Sequence, residues 1–248
     1  MADKAGSVKV EQGPKRVRAY FEGELVADTT RPFLVWEWPY FPTYYIPASD
    51  VRGELVATGK TEHSPSRGEG QVYDVQVGAA TAYGAALVYP DSPHEALRGL
   101  VRLDWKSMSE WLEEDEPVYT HPRDPYKRVD ILASSRHVRI EVDGITIAES
   151  PQPRILYETG LPPRYYIPLT DVRIDLLVPS ATESHCPYKG TASYWSVNTR
   201  DAVHEDIVWM YRTPLPESQK IAGLACLYNE KVDLYLDGEL QERPRTPF

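Results

Sequence analysis

Apolar and polar residues alternate with a period of two along most of this chain. Val138-Arg139-Ile140-Glu141-Val142 runs into Asp143-Gly144 and out through Ile145-Thr146-Ile147-Ala148, the pattern of a β-hairpin closed by an Asp-Gly turn. Glu22-Gly23 occupies the same place earlier in the chain. The alternation predicts further strands at Arg164–Ile167, Leu176–Val178, Ala192–Val197, Ile207–Tyr211, Leu224–Tyr228 and Val232–Leu236. Pro214–Lys220 has room for one helical turn. Trp105, Met108, Trp111 and Leu112 recur at helical spacing, which predicts a short helix within Lys106–Glu114 in place of a strand. No apolar run approaches the ~18 residues of a membrane-spanning helix. The least polar stretch, Val77–Tyr89, is interrupted by Gly78, Thr81, Tyr83 and Gly84.

The pattern occurs twice. Val17-Arg18 recurs 121 positions on as Val138-Arg139, and Gly23, Ala27 and Pro32 recur as Gly144, Ala148 and Pro153. Tyr44-Tyr45-Ile46-Pro47 returns as Tyr165-Tyr166-Ile167-Pro168, Asp50-Val51-Arg52 as Asp171-Val172-Arg173, and Leu55 as Leu176. Beyond Thr61 the spacing grows by one, pairing Ser64–Gly68 with Cys186–Gly190 and Tyr73 with Trp195. It then grows by two more, pairing Leu97 with Ile221 and Trp111-Leu112 with Tyr235-Leu236. Such self-similarity implies two copies of one small domain. The expected organisation is a tail at 1–14, a first repeat at 15–117 with a degenerate loop, a linker at 118–135, a second repeat at 136–240 and a tail at 241–248.

The 248 residues, 42% of them hydrophobic, suffice for a core in each copy. Twenty-two prolines and 17 tyrosines fit short strands, corners and aromatic walls, and the expected class is mainly β. A net charge of −10 argues against nucleic acid and anionic membrane surfaces as partners. Cys186 and Cys226 are too few for a disulfide scaffold or a four-cysteine zinc site. Met1–Tyr20 holds no apolar stretch of the kind that marks a secretory signal, so the expected location is the cytoplasm.

Tyr165-Tyr166-Ile167-Pro168 with Asp171-Val172-Arg173, followed by Cys186–Val197, closely resembles the domain of unknown function 427 family. Trp209, Tyr211, Pro214, Pro216, Ile221-Ala222-Gly223, Tyr228, Val232-Asp233 and Asp237-Gly238 resemble its C-terminal half. His121–Tyr126 looks like the linker of its bacterial tandem members. The resemblance implies two tandem β-tent-like domains, each of two antiparallel sheets meeting at an angle over a ligand-sized cleft, with short helical turns and, lacking any C-x-x-C pair, no zinc and no cofactor. The nucleotidyltransferase label attached to the family finds no Gly-Ser followed by an Asp-x-Asp pair for metal-assisted phosphoryl chemistry.

Candidate chemistry concentrates in the second copy, where Thr182, Ser184, His185, Cys186, Tyr188, Lys189, Tyr194 and Trp195 share a loop and its strand. The binding reading makes Lys189 a cation facing an anionic or carbonyl group, with Tyr188, Trp195, Tyr165 and Trp209 as aromatic walls. Of Tyr165 and Tyr166 only one can enter the cleft, and Tyr166 is the expected one. The packing alternative makes Trp195 and Trp209 core and Lys189 a solvated hairpin charge. Cys186 as a nucleophile requires a base or a positive field, which His185 or Lys189 supplies on paper. Cys226 reads as packing. His185, His204, Cys186 and Glu205 lack a recurrent metal spacing. Asp171 and Arg173, two apart, are expected to form a local ion pair. The first copy has Ser64, Ser66, Arg67, Gly70 and Tyr73 for Cys186, Tyr188, Lys189, Ala192 and Trp195, so the working pocket is expected in the second. Lys189→Ala and Tyr188→Ala are expected to abolish binding while leaving melting nearly unchanged. Three functions follow: a protein binding a small polar or planar ligand, a cryptic enzyme using Lys189 or Cys186 with Tyr188, and a protein interaction module.

Overall fold

The computed structural model describes residues 8–199 and 201–246, which fall into two compact units, 1–124 and 125–248. The first contains β1 (Lys9–Gln12), β2 (Val17–Phe21), β3 (Glu24–Thr29), β4 (Phe33–Trp36), β5 (Thr43–Pro47), β6 (Glu54–Ser64), β7 (Gly68–Val77), β8 (Ala80–Val88), β9 (Leu100–Leu103), β10 (Glu110–Glu113) and β11 (Glu116–Pro117). The second contains β12 (Val129–Ala133), β13 (Val138–Val142), β14 (Ile145–Ser150), β15 (Arg154–Glu158), β16 (Arg164–Ile167), β17 (Leu177–Cys186), β18 (Gly190–Asn198), β19 (Val203–Met210), β20 (Ala225–Leu227), β21 (Asp233–Leu236) and β22 (Glu239–Leu240). Helical structure among the described residues is confined to short 3-10 turns.

Each unit folds into a seven-stranded and a four-stranded antiparallel sheet, in orders β1-β4-β5-β9-β8-β7-β6 and β11-β10-β2-β3, then β12-β15-β16-β20-β19-β18-β17 and β14-β13-β21-β22. The orders correspond strand for strand. Two edge strands lie outside the expected repeat boundaries: β1 sits in the stretch expected as a tail, and β12 in the stretch expected as a linker. Both complete a sheet edge by pairing with β4 and β15.

Period-two alternation sorts each seven-stranded sheet into two faces. In the second unit the inner face packs Ile155, Tyr165, Ile167, Val208, Ala225 and Leu227 against Val138, Ile140, Leu234 and Leu236 of the smaller sheet. The outer face gathers Leu156, Tyr166, Tyr194, Trp209, Tyr211 and Cys226. The hairpin turns form as expected, with Asp143 and Gly144 at φ of 52° and 74°, the left-handed geometry that a two-residue turn joining twisted strands needs.

Strand registers move the repeat's insertions. Leu55 pairs with Val75 as Leu177 pairs with Val197, so the first added residue precedes Leu55 and is taken up by the turn at Ile174–Leu176. Trp111 pairs with Ala19 as Leu234 pairs with Ile140. Trp111 therefore corresponds to Leu234, and the first unit's turn before that strand is one residue longer than the second's.

The helix expected within Lys106–Glu114 is absent. Asp104 accepts bonds from the Ser107 backbone (2.9 Å) and hydroxyl (2.7 Å), which closes a turn, and Glu110–Glu113 then pairs with β2. A helix here would leave β2 with an unpaired edge and withdraw Trp111 from the core, so tertiary pairing overrides the local spacing. The Asp171–Arg173 pair is also absent: Arg173 binds Asp175 at 2.7 Å, while Asp171 accepts the Ser150 hydroxyl at 2.6 Å.

Candidate functional site

Alternate residues of six neighbouring strands meet on the outer face of the second unit's larger sheet: Glu158 of β15, Arg164 and Tyr166 of β16, Cys226 of β20, Trp209 of β19, Tyr194 of β18, and Ser184 and Cys186 of β17. Tyr166 is almost wholly buried, and its hydroxyl accepts the Trp209 indole N–H at 3.3 Å. Burial pushes its pKa well above the ordinary tyrosine value. The Trp209 ring lies edge-on to Tyr166 and 4.5 Å from Tyr228.

Two ion pairs frame these rings. Arg164 grips Glu230 through both terminal nitrogens, at 2.6 and 2.7 Å. Its guanidinium lies 5.6 and 5.7 Å from the Trp209 and Tyr228 ring centres, within reach of cation–π attraction. Burial pulls the Arg164 pKa down, and Glu230 outweighs it, leaving it raised. Lys189 pairs with Glu158, both side chains being about nine-tenths buried. Burial pulls the Lys189 ammonium down; Cys186 and Glu158 outweigh it and hold it charged. Between the pairs runs a series of hydroxyls, Ser184 Oγ to Tyr194 at 2.7 Å and Tyr194 to Tyr228 at 3.4 Å. Tyr228 is half-buried, and burial raises its pKa.

The structure thus brings together Tyr166, Ser184, Cys186, Lys189, Tyr194 and Trp209 and separates the rest. Tyr165 and Trp195 pack on the inner core, so it is Tyr165, not Tyr166, that faces the smaller sheet. Thr182 is exposed and donates to Asp206 at 2.6 Å. Tyr188 is buried in the 186–190 turn, whose Tyr188 carbonyl accepts the Ser218 hydroxyl at 3.0 Å. Lys189 is not a solvated charge, and its burial in a pair removes the ground for expecting an undisturbed melting point in Lys189→Ala. Cys226 is fully buried and its thiol is pushed up to about 12, as packing requires. His185 and Cys186, adjacent in sequence, face opposite sides, and His185 bonds Thr191 at 2.9 Å. Among the described residues, no group of three or more His, Cys, Asp or Glu side chains is placed to hold a metal ion.

Glu158, Arg164, Tyr228 and Glu230 are the site residues that sequence reasoning missed. Glu158 was findable, because Glu37 stands 121 positions before it. In the first unit Glu37 is likewise buried, accepts the Tyr45 hydroxyl at 2.6 Å, and lies 3.4 Å from Arg102 and 4.0 Å from Arg67. The buried carboxylate with a cation from the 64–68 or 186–190 turn is therefore common to both units, whereas the rings are not: Val72, Leu87 and Asp104 stand at the positions of Tyr194, Trp209 and Tyr228. A hollow of about 80 Å³ opens there beside Arg102. A larger hollow of the first unit, about 510 Å³, lies elsewhere, against Trp105 and Trp111.

The sequence pattern of the family described as "Domain of unknown function (DUF427)" matches residues 9–114 and again 130–238. No curated protein matches the chain. The two matches cover most of its length, and the chain belongs to that family as a tandem member.

Proposed function

We propose that this tandem DUF427 protein binds a small polar or planar ligand over the outer face of its second unit, without requiring chemistry. The supporting observation is the hydroxyl series from Ser184 through Tyr194 to Tyr228, ending on a half-buried ring beside Trp209 and Arg164. Tyrosine hydroxyls offer both donors and acceptors, and the ring face offers a stacking surface with a cation near it. The two ion pairs hold these groups in place, so Lys189 acts as a positioning residue. A reducing bacterial cytoplasm suits the two free thiols, and the net charge of −10 weighs against nucleic acid and anionic membranes as partners. Among the described residues no helix is long and apolar enough to cross a membrane.

The test is a thermal-shift screen of nucleobases, aromatic carboxylates and cyclic sugars, since a ligand of the folded state raises its apparent stability. Tyr194→Phe and Tyr228→Phe should lose the shift produced by any hit while keeping their own melting points within a few degrees. A shift that survives both substitutions overturns this site; a screen without hits favours the interaction module. A second reading, thiol chemistry at Cys186, has one observation in its favour: the Lys189 ammonium beside Cys186, a positive charge of the kind that stabilises thiolate. Alkylation of Cys186 no faster than that of a free thiol overturns it.

A further inference from the structure

The first unit holds a hollow that the binding reading leaves unused. It measures about 510 Å³, within the range of small-molecule sites, and forms where the one-residue-longer turn before β10 meets the segment after β11. The Trp105 and Trp111 rings are stacked, their centres 4.7 Å apart and their planes within 2° of parallel. Trp111 is almost wholly buried, against Trp105 and Tyr44, and its indole N–H is satisfied by the Trp105 carbonyl at 3.2 Å, so the partly exposed ring of the pair is that of Trp105. Met108 and Tyr119 add a thioether and a second kind of ring, and Val118 is fixed by its backbone bond to Trp111 at 2.9 Å. Thr120, also on the wall, holds a φ of 77°, a costly left-handed conformation for a β-branched residue and one that clusters at ligand sites.

Charge decides the ligand class. Glu110 is the only charged side chain among the lining residues. Aromatic faces carry negative potential, and the whole chain carries −10. An anion is repelled by every one of these features, and a neutral apolar ligand gains nothing from the Glu110 carboxylate or from the negative ring faces. A compact inorganic cation is too strongly hydrated to exchange water for rings. We infer that this hollow binds a methylated organic ammonium, its alkyl groups against Trp105 and Tyr119 and its charge toward Glu110. The second unit, with Leu234 in place of Trp111, has no counterpart of the stacked indole pair.

The probe is choline, measured by calorimetry against its neutral tert-butyl isostere, in which carbon replaces nitrogen. Choline should bind saturably and the isostere roughly tenfold or more weaker, as a cation–π contact predicts. Trp105→Leu should abolish binding, and Glu110→Gln, a change at an exposed side chain, should weaken it several-fold. Tyr228→Phe should leave it unchanged, which separates this site from the one in the second unit. Equal binding of the isostere, undiminished binding in Glu110→Gln, or no binding at millimolar choline overturns the inference.

Discussion

The outer faces of the two larger sheets start from the same buried carboxylate and diverge around it. Glu37 lies between two guanidiniums, Arg67 and Arg102, with aliphatic Val72 and Leu87 beyond them. Glu158 meets one ammonium, and Cys226 takes the position of Arg102. A second cation, Arg164, comes from the neighbouring strand with its own partner, Glu230, and rings fill the remaining space. The pair of carboxylate and turn cation is thus framework, because it survives an exchange of Lys for Arg and of Arg102, Val72 and Leu87 for Cys226, Tyr194 and Trp209, while Tyr45 and Tyr89 persist as Tyr166 and Tyr211. The aromatic series is what one unit has and the other lacks, so function is to be sought there.

The largest expected effect breaks the shared pair. Lys189→Ala leaves a buried Glu158 unpaired and should cost about 3–5 kcal/mol in denaturant unfolding, while the double change Lys189→Met with Glu158→Leu should recover most of it. Arg67→Ala should cost clearly less, because Arg102 still faces Glu37 at 3.4 Å. An equal cost would show that the two pairs are not comparable. Trp209→Leu, which installs the first unit's residue, should cost about 2–4 kcal/mol by leaving space above Tyr166. Gly70→Ala, which installs the second unit's residue, should cost about 1–3 kcal/mol. A Cβ at Gly70 would stand 2.8 Å from both Leu87 and the Tyr89 ring; an unchanged unfolding midpoint would show that these side chains yield freely.

The smallest effect concerns acid. Arg31 holds the Asp50 carboxyl down at about 2, against an ordinary 3.8. A lowered folded-state pKa contributes stability above about pH 4 that is lost as pH falls toward 2. Arg31→Gln, which copies Gln152 of the second unit, should lower the melting temperature slightly above about pH 4, with the two profiles converging as pH falls toward 2, so that the variant's acid limb is the flatter one. A profile identical to that of the unmodified protein would remove Arg31 as the cause.

The two-copy organisation was legible because Tyr-Tyr-Ile-Pro and Asp-Val-Arg serve the framework, where both copies face the same packing demand. Strands and Asp-Gly turns were legible for the same local reason. The helix expected at Lys106–Glu114 failed because Trp105 and Trp111 do share a surface, but through ring stacking across a turn. Spacing alone does not distinguish the two. The face of each Tyr-Tyr pair was beyond sequence reasoning, since both faces of the larger sheet are buried and alternation marks neither as the cleft. Lys189 and Glu158 are 31 positions apart, and only the turn at 186–190 brings them together.

One feature of the fold bears on behaviour at high concentration. β6 and β17 each end a seven-stranded sheet and expose one unpaired backbone edge, β6 over 11 residues, which is long enough to recruit another chain. Each edge is broken by an irregularity, between Ala57 and Thr61 and between Pro179 and Glu183. Lys60 and Glu62 add charge to the first, and Pro179 has no N–H to offer at the second. The same irregularities that bend these hairpins therefore work against edge-to-edge pairing with a second chain.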